Sequence, residues 1–145
     1  MSHDFAATWL KLTSLFIMLL GLLVAFGAHP ATSLPATLLA DAVFWPFDGA
    51  QTIDAPAARV LAAIGGGVMV GWGVMMWLIL DRLLPVDPRL TRLLMIESAL
   101  AWYIVDSTGS FVSGADVNVL LNTILLAAIV LPAWRIGPDR VATAA

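Results

Sequence analysis

The chain predicts an all-α fold, an integral membrane bundle of four helices, and three observations carry that expectation. The first is composition: 61% of the 145 residues are apolar and 12% are charged, where soluble domains hold roughly 45–50% and 25%. A soluble protein of this size could not hide so much apolar surface. The second is length. Four apolar runs approach or exceed the roughly 20 residues that cross a hydrocarbon core of about 30 Å. The third is charge placement. Lys11, Arg82, Arg89, Arg92, Arg135 and Arg140 fall on one side of four alternating spans, and Arg59 alone falls on the other. Such a bias puts both termini in the cytoplasm and the long first loop in the periplasm.

By length the chain is a single four-span domain over residues 1–145, with spans expected near 8–28, 57–80, 93–111 and 117–134. Met1 to Thr8 reads as a short tail. The run behind Lys11 competes with a signal peptide that could be cleaved at Ala25-Phe26-Gly27. A single lysine and three later spans favour an uncleaved helix. From His29 to Ala55 the prolines Pro30, Pro35, Pro46 and Pro56 and the turn Asp48-Gly49 punctuate a long connection. Within it, Ala36 to Trp45 predicts a short helix, and Trp45 and Phe47 suit a headgroup interface.

The second span carries five glycines within Gly65–Gly73. In water each would cost roughly 0.5–1 kcal/mol relative to alanine. In lipid the backbone must bond to itself, so the helix survives them. Arg59, Ala63, Gly67 and Gly71 recur every fourth residue, a stripe that predicts close approach of another helix and a central place for this span. Two prolines and mixed charge between Asp81 and Arg89 make a tight connection, and Val112 to Asp116 is a short turn.

Ionisable groups within a span are expensive, so each is a candidate site. Asp106 lies in the outer half of the third span, with Ser110 one turn on, and Asn118 and Asn122 share one face of the fourth span. Arg59 stands near the outer end of the second. An outward-facing polar pocket of Asp106, Arg59, Ser110, Asn118 and Asn122 is expected, with Asp48, Gln51 and Asp54 reaching its rim. An Asp106–Arg59 ion pair that merely ties helices together is the competing expectation. Glu97 is expected to snorkel toward Lys11 or an arginine. It cannot act with Asp106 as an acid–base pair, because nine residues of helix part them by about 13 Å on opposite faces.

Other chemistry is excluded or disfavoured. There is no cysteine for a disulfide or a thiolate. His3 and His29 lack haem- or metal-ligand spacing, so no metal and no cofactor are expected. Gly65-Gly66-Gly67 lacks the lysine of a phosphate loop. Ser107 and Ser110 have no activating base nearby in sequence. Met69, Met75, Met76 and Met95 suit gap-filling. Nothing forms the basic run that nucleic acid requires.

The arginine-led second span with its Gly-Gly-x-x-x-Gly-x-Gly texture, in a compact chain over residues 57–134, resembles the DoxX-like group of small bacterial inner-membrane proteins. That resemblance implies a four-span bundle in a cell inner membrane and nothing catalytic. The sequence thus reads as a non-enzymatic, multi-pass membrane protein that binds a partner subunit or small ligand at its outer face. A small transporter or ion-binding protein using Asp106 is one alternative. Another is a non-catalytic subunit of a quinone-linked redox complex, with the ligand against Trp72 and Trp102. The expected partners are the lipid bilayer and a homo-oligomer or larger membrane complex.

Overall fold

A computed structural model describes residues 2–136. Arg140, counted in the charge bias, lies outside them. The described residues form five α-helices and no strand: α1 (His3–Ala25), α2 (Leu34–Phe44), α3 (Pro56–Leu78), α4 (Pro88–Val112) and α5 (Asp116–Arg135). Three segments are long and apolar enough to cross a membrane: His3–Ala28, Pro56–Leu83 and Asp116–Arg135. Helix α4 is long but more polar, because Arg89, Arg92, Glu97, Asp106 and a series of hydroxyls lie along it.

Several helix ends have local causes. The Ser2 hydroxyl accepts the Phe5 amide at 3.3 Å and caps α1. Pro56 opens α3 and Pro88 opens α4, where a missing N–H costs nothing. The Asp87 carboxylate accepts the Leu90 amide at 2.8 Å and completes the α4 cap. Gly114, at φ +79°, supplies the left-handed step between α4 and α5. Beyond Leu78 the chain widens into a π-turn, Ile79–Leu83, closed by Leu84 N–H donating to the Ile79 carbonyl at 3.1 Å. Met76, Leu80 and Leu84 are all buried. A regular helix turns about 40° per four residues away from a straight stripe, and the wider turn compensates.

Helix α1, not α3, has the most neighbours: it packs along α3, against α5 and under α2, while α4 packs along α5. Helices α3 and α4 are not packed side by side; the Trp72 and Trp102 rings join them at 5.3 Å. The apolar core gathers toward one end, from Leu10 and Ile17 of α1, Met76 and Leu80, Met95 and Ala99 of α4, and Ile129 and Ala133 of α5. Lys11 marks that end, with its ammonium 3.0 Å from Asp81 and 5.5 Å from the Trp77 ring.

The small-residue stripe requires correction. A Cβ at Gly67 or Gly71 would meet nothing within 4 Å, and Ala63 is exposed. The close approach uses Gly66 and Gly73 instead. A Cβ on Gly66 would stand 2.5 Å from the Gly21 carbonyl oxygen and the Ala25 nitrogen, and one on Gly73 would stand 2.8 Å from the Ser14 carbonyl oxygen. Gly66 and Gly73 lie seven apart, as do Ser14 and Gly21 facing them. Seven residues return a helix to nearly the same face, so this spacing keeps small residues on the seam over two turns. A four-residue stripe drifts away from it.

Candidate functional site

The polar side chains of α4 and α5 form one cluster at the end of the bundle opposite Lys11. Asp106 lies six residues before the end of α4, about 9 Å along the helix axis. Its Oδ1 accepts the Ser110 hydroxyl at 3.2 Å and the Asn118 amide at 3.5 Å. Asn118 also donates to Ser110 Oγ at 2.8 Å, so the three side chains close a triangle. One turn toward the core, the buried Asn122 amide donates to the Ser107 hydroxyl at 3.3 Å. Beside it, the Tyr103 and Thr123 hydroxyls share a hydrogen bond of 3.0 Å. The i, i+4 spacing on both helices explains the ladder, because Asp106 with Ser110 and Asn118 with Asn122 each occupy one face. Asp106 Oδ2 takes no hydrogen bond and no cation lies within 4.0 Å of the carboxylate among the described residues. No side-chain polar atom enclosed by the protein lacks a partner among the described residues, so Oδ2 is not sealed within the bundle.

Of the five residues expected in one pocket, Asp106, Ser110 and Asn118 touch one another and Asn122 sits one turn away. Arg59 does not join them. Its Nε donates to the Ile53 carbonyl at 3.2 Å, and its Nη2 lies 3.9 Å from the exposed Asp54 carboxylate. The incoming loop brings both acceptors within six residues of Arg59, whereas α3 and α4 are not packed side by side. The rim residues also go elsewhere. The Asp48 carboxylate accepts the Ala50 amide at 3.0 Å, and the Gln51 amide donates to Asp41 at 3.3 Å. Glu97 is exposed and makes no ion pair among the described residues, since Asp81 occupies Lys11. The Trp72 and Trp102 rings lie against each other and leave no slot for a planar ligand between them.

Sequence reasoning missed two organising contacts. Asp41 is 2% exposed, and its carboxylate accepts both Gly49 N–H at 2.8 Å and Gln51 N–H at 3.3 Å, folding the loop back onto α2. A lone acid in a short apolar helix followed by Asp-Gly was the signal available. The second is Trp9, whose indole N–H donates to the Ala128 carbonyl at 3.0 Å. Pro132 has no N–H to bond the carbonyl four residues earlier, and that carbonyl is Ala128. Trp9 of α1 supplies the missing donor. No metal-holding group of three or more His, Cys, Asp or Glu side chains occurs among the described residues. No family model matches the chain, and no curated protein or solved structure is found similar to it.

Proposed function

We propose that this is a non-enzymatic, multi-pass inner-membrane protein of four spans with both termini in the cytoplasm, binding a small ligand through the outward-facing α4–α5 cluster. Three apolar segments of membrane-crossing length support insertion, together with a surface on which Leu12, Phe16, Leu61, Val68, Val105 and Leu131 are all exposed. Helix α4 completes the bundle as the polar span, shielding its hydroxyls and amides against α5. Helix α1 is retained in this reading, because it contributes Leu10, Ile17 and Gly21 to the packing. The resemblance to the DoxX-like group supports the bundle alone.

The observation that carries the binding reading is the free oxygen of Asp106. Its Oδ1 is oriented by Ser110 and Asn118, and Oδ2 is left to accept from a ligand. The partner that suits an accessible, unpaired carboxylate is a small cation or a protonated amine. The ion-binding alternative rests on the same oxygen. A purely structural ladder is the opposing reading.

Thermal unfolding of the purified protein in detergent, with sodium, potassium or methylammonium chloride against choline chloride at matched ionic strength, tests this. At least one of the three small cations should raise Tm in the native chain and leave Asp106→Asn unmoved. Equal shifts in the two proteins, or none, would show that Asp106 serves only to join α4 to α5.

A further inference from the structure

Six lysines and arginines lie among the described residues, and they divide into two groups. Lys11, Arg59 and Arg82 each lie within 4 Å of a carboxylate, at 3.0 Å from Asp81, 3.9 Å from Asp54 and 3.5 Å from Asp81. Arg89, Arg92 and Arg135 pair with none among the described residues. These three belong to the same end of the bundle. Arg89 and Arg92 stand one turn apart at the start of α4, and Arg135 closes α5, the helix packed along it. Trp134 ties Arg92 to the end of α5: the Arg92 guanidinium carbon lies 5.8 Å from its ring centroid, and the indole remains 66% exposed. Asp87, the acid nearest Arg89 in sequence, already accepts from the Leu90 amide as the cap of α4.

We infer that Arg89, Arg92 and Arg135, with Trp134, bind the phosphate of an anionic glycerophospholipid on the cytoplasmic side. The inference rests on the membrane topology proposed above and is independent of the Asp106 site. Trp134 stands at the end of a membrane-length helix, the depth at which an indole meets headgroups. Guanidinium groups engage phosphate oxygens in pairs, and Arg92 is held over the ring that the lipid's glycerol region would flank. Basic side chains at this level attract anionic lipid about fivefold per residue. Free phosphate shares the chemistry, but lacks the acyl chains that the exposed apolar flank of α4 at Leu90, Leu93 and Leu94 would hold.

The test is lipid retention by the full chain, stripped of lipid in maltoside detergent and offered equimolar phosphatidylglycerol and phosphatidylcholine, read by native mass spectrometry. The native protein should retain phosphatidylglycerol in at least fivefold preference. R89Q/R92Q/R135Q should lose the preference, R89K/R92K/R135K should largely keep it, and R82Q, which removes a paired cation at the same end, should keep it fully. Should the glutamine variant fail to fold, R89Q and R135Q singly should each reduce the preference severalfold. Equal retention of the two lipids by the native chain would overturn the proposal, as would unchanged preference in the glutamine variants. Inorganic phosphate at millimolar concentration should not displace the lipid; displacement would assign the site to a soluble anion. Asp139, four residues beyond Arg135, lies outside the described residues. A fivefold rise in preference in D139N would make that carboxylate the partner of Arg135 and overturn its assignment to lipid. Flotation with phosphatidylcholine vesicles keeps the topology separate: a protein that floats without lipid preference fails this proposal alone.

Discussion

Trp9 and Pro132 make a pair that no single helix explains. Pro132 leaves the Ala128 carbonyl without its helical donor, and the Trp9 indole bonds it from α1. Trp9→Phe keeps the ring and removes the donor, so it should cost about 1–3 kcal/mol of thermal stability in detergent. Pro132→Ala restores the backbone donor, and Trp9→Phe on that background should cost little, a coupling that a double-mutant cycle measures. Asp41 is a second residue with an outsized role. Asp41→Ala strands the Gly49 and Gln51 amides, and hydrogen exchange at those two amides should accelerate while the helices stay protected. At Arg59 and Asp106 the expectation is independence. They share no partner among the described residues, so Arg59→Gln and Asp106→Asn should add within about 0.5 kcal/mol. Coupling well beyond that would return Arg59 to the polar cluster.

The contact between α1 and α3 gives glycines on one helix opposite signs. Gly66→Ala would drive a Cβ into the Gly21 carbonyl and the Ala25 backbone, neither of which can rotate away. Overpacking of that kind should cost about 1–3 kcal/mol. Gly67→Ala and Gly71→Ala meet only open space, and alanine at a helical site should stabilise by up to about 1 kcal/mol. Thermal unfolding of the three variants in one detergent reads the contrast. Destabilisation by Gly67→Ala would mean that its face is covered, for instance by a second copy. The sequence made the glycine density and its consequence, a close helix pair, legible. It did not make the face legible, because small residues satisfy both the four- and the seven-residue spacing between Ala63 and Gly73. Only the register against Ser14 and Gly21 selects one of them.

At the scale of the whole molecule the proposed topology makes a direct forecast. The native chain has no cysteine, so single cysteines introduced at Ser33, Ala50 and Ala145 report their own side of the membrane. Ser33 and Ala50 should react with an impermeant maleimide added to intact cells, and Ala145 only after lysis. Reaction of all three from outside would contradict four spans.

What the sequence determined by itself is whatever depends on a single stretch of chain. Apolar length, proline and glycine punctuation and the Asp87–Pro88 cap make the helices and their ends, which fall within a few residues of expectation except that α1 and α4 begin about one turn earlier. The four-residue spacing of Asp106 with Ser110, and of Asn118 with Asn122, likewise predisposed one face of α4 to meet one face of α5. Tertiary structure decided every choice among competing partners. Arg59 went to Ile53 and Asp54 because the loop returns beside it, while α4 lies across the bundle. Lys11 went to Asp81 rather than Glu97, and α1 rather than α3 took the middle. Helix formation is a local balance of backbone bonding and side-chain polarity, readable along one strand of text. Which helix faces which, at what register, is set by the fit of surfaces distant in sequence.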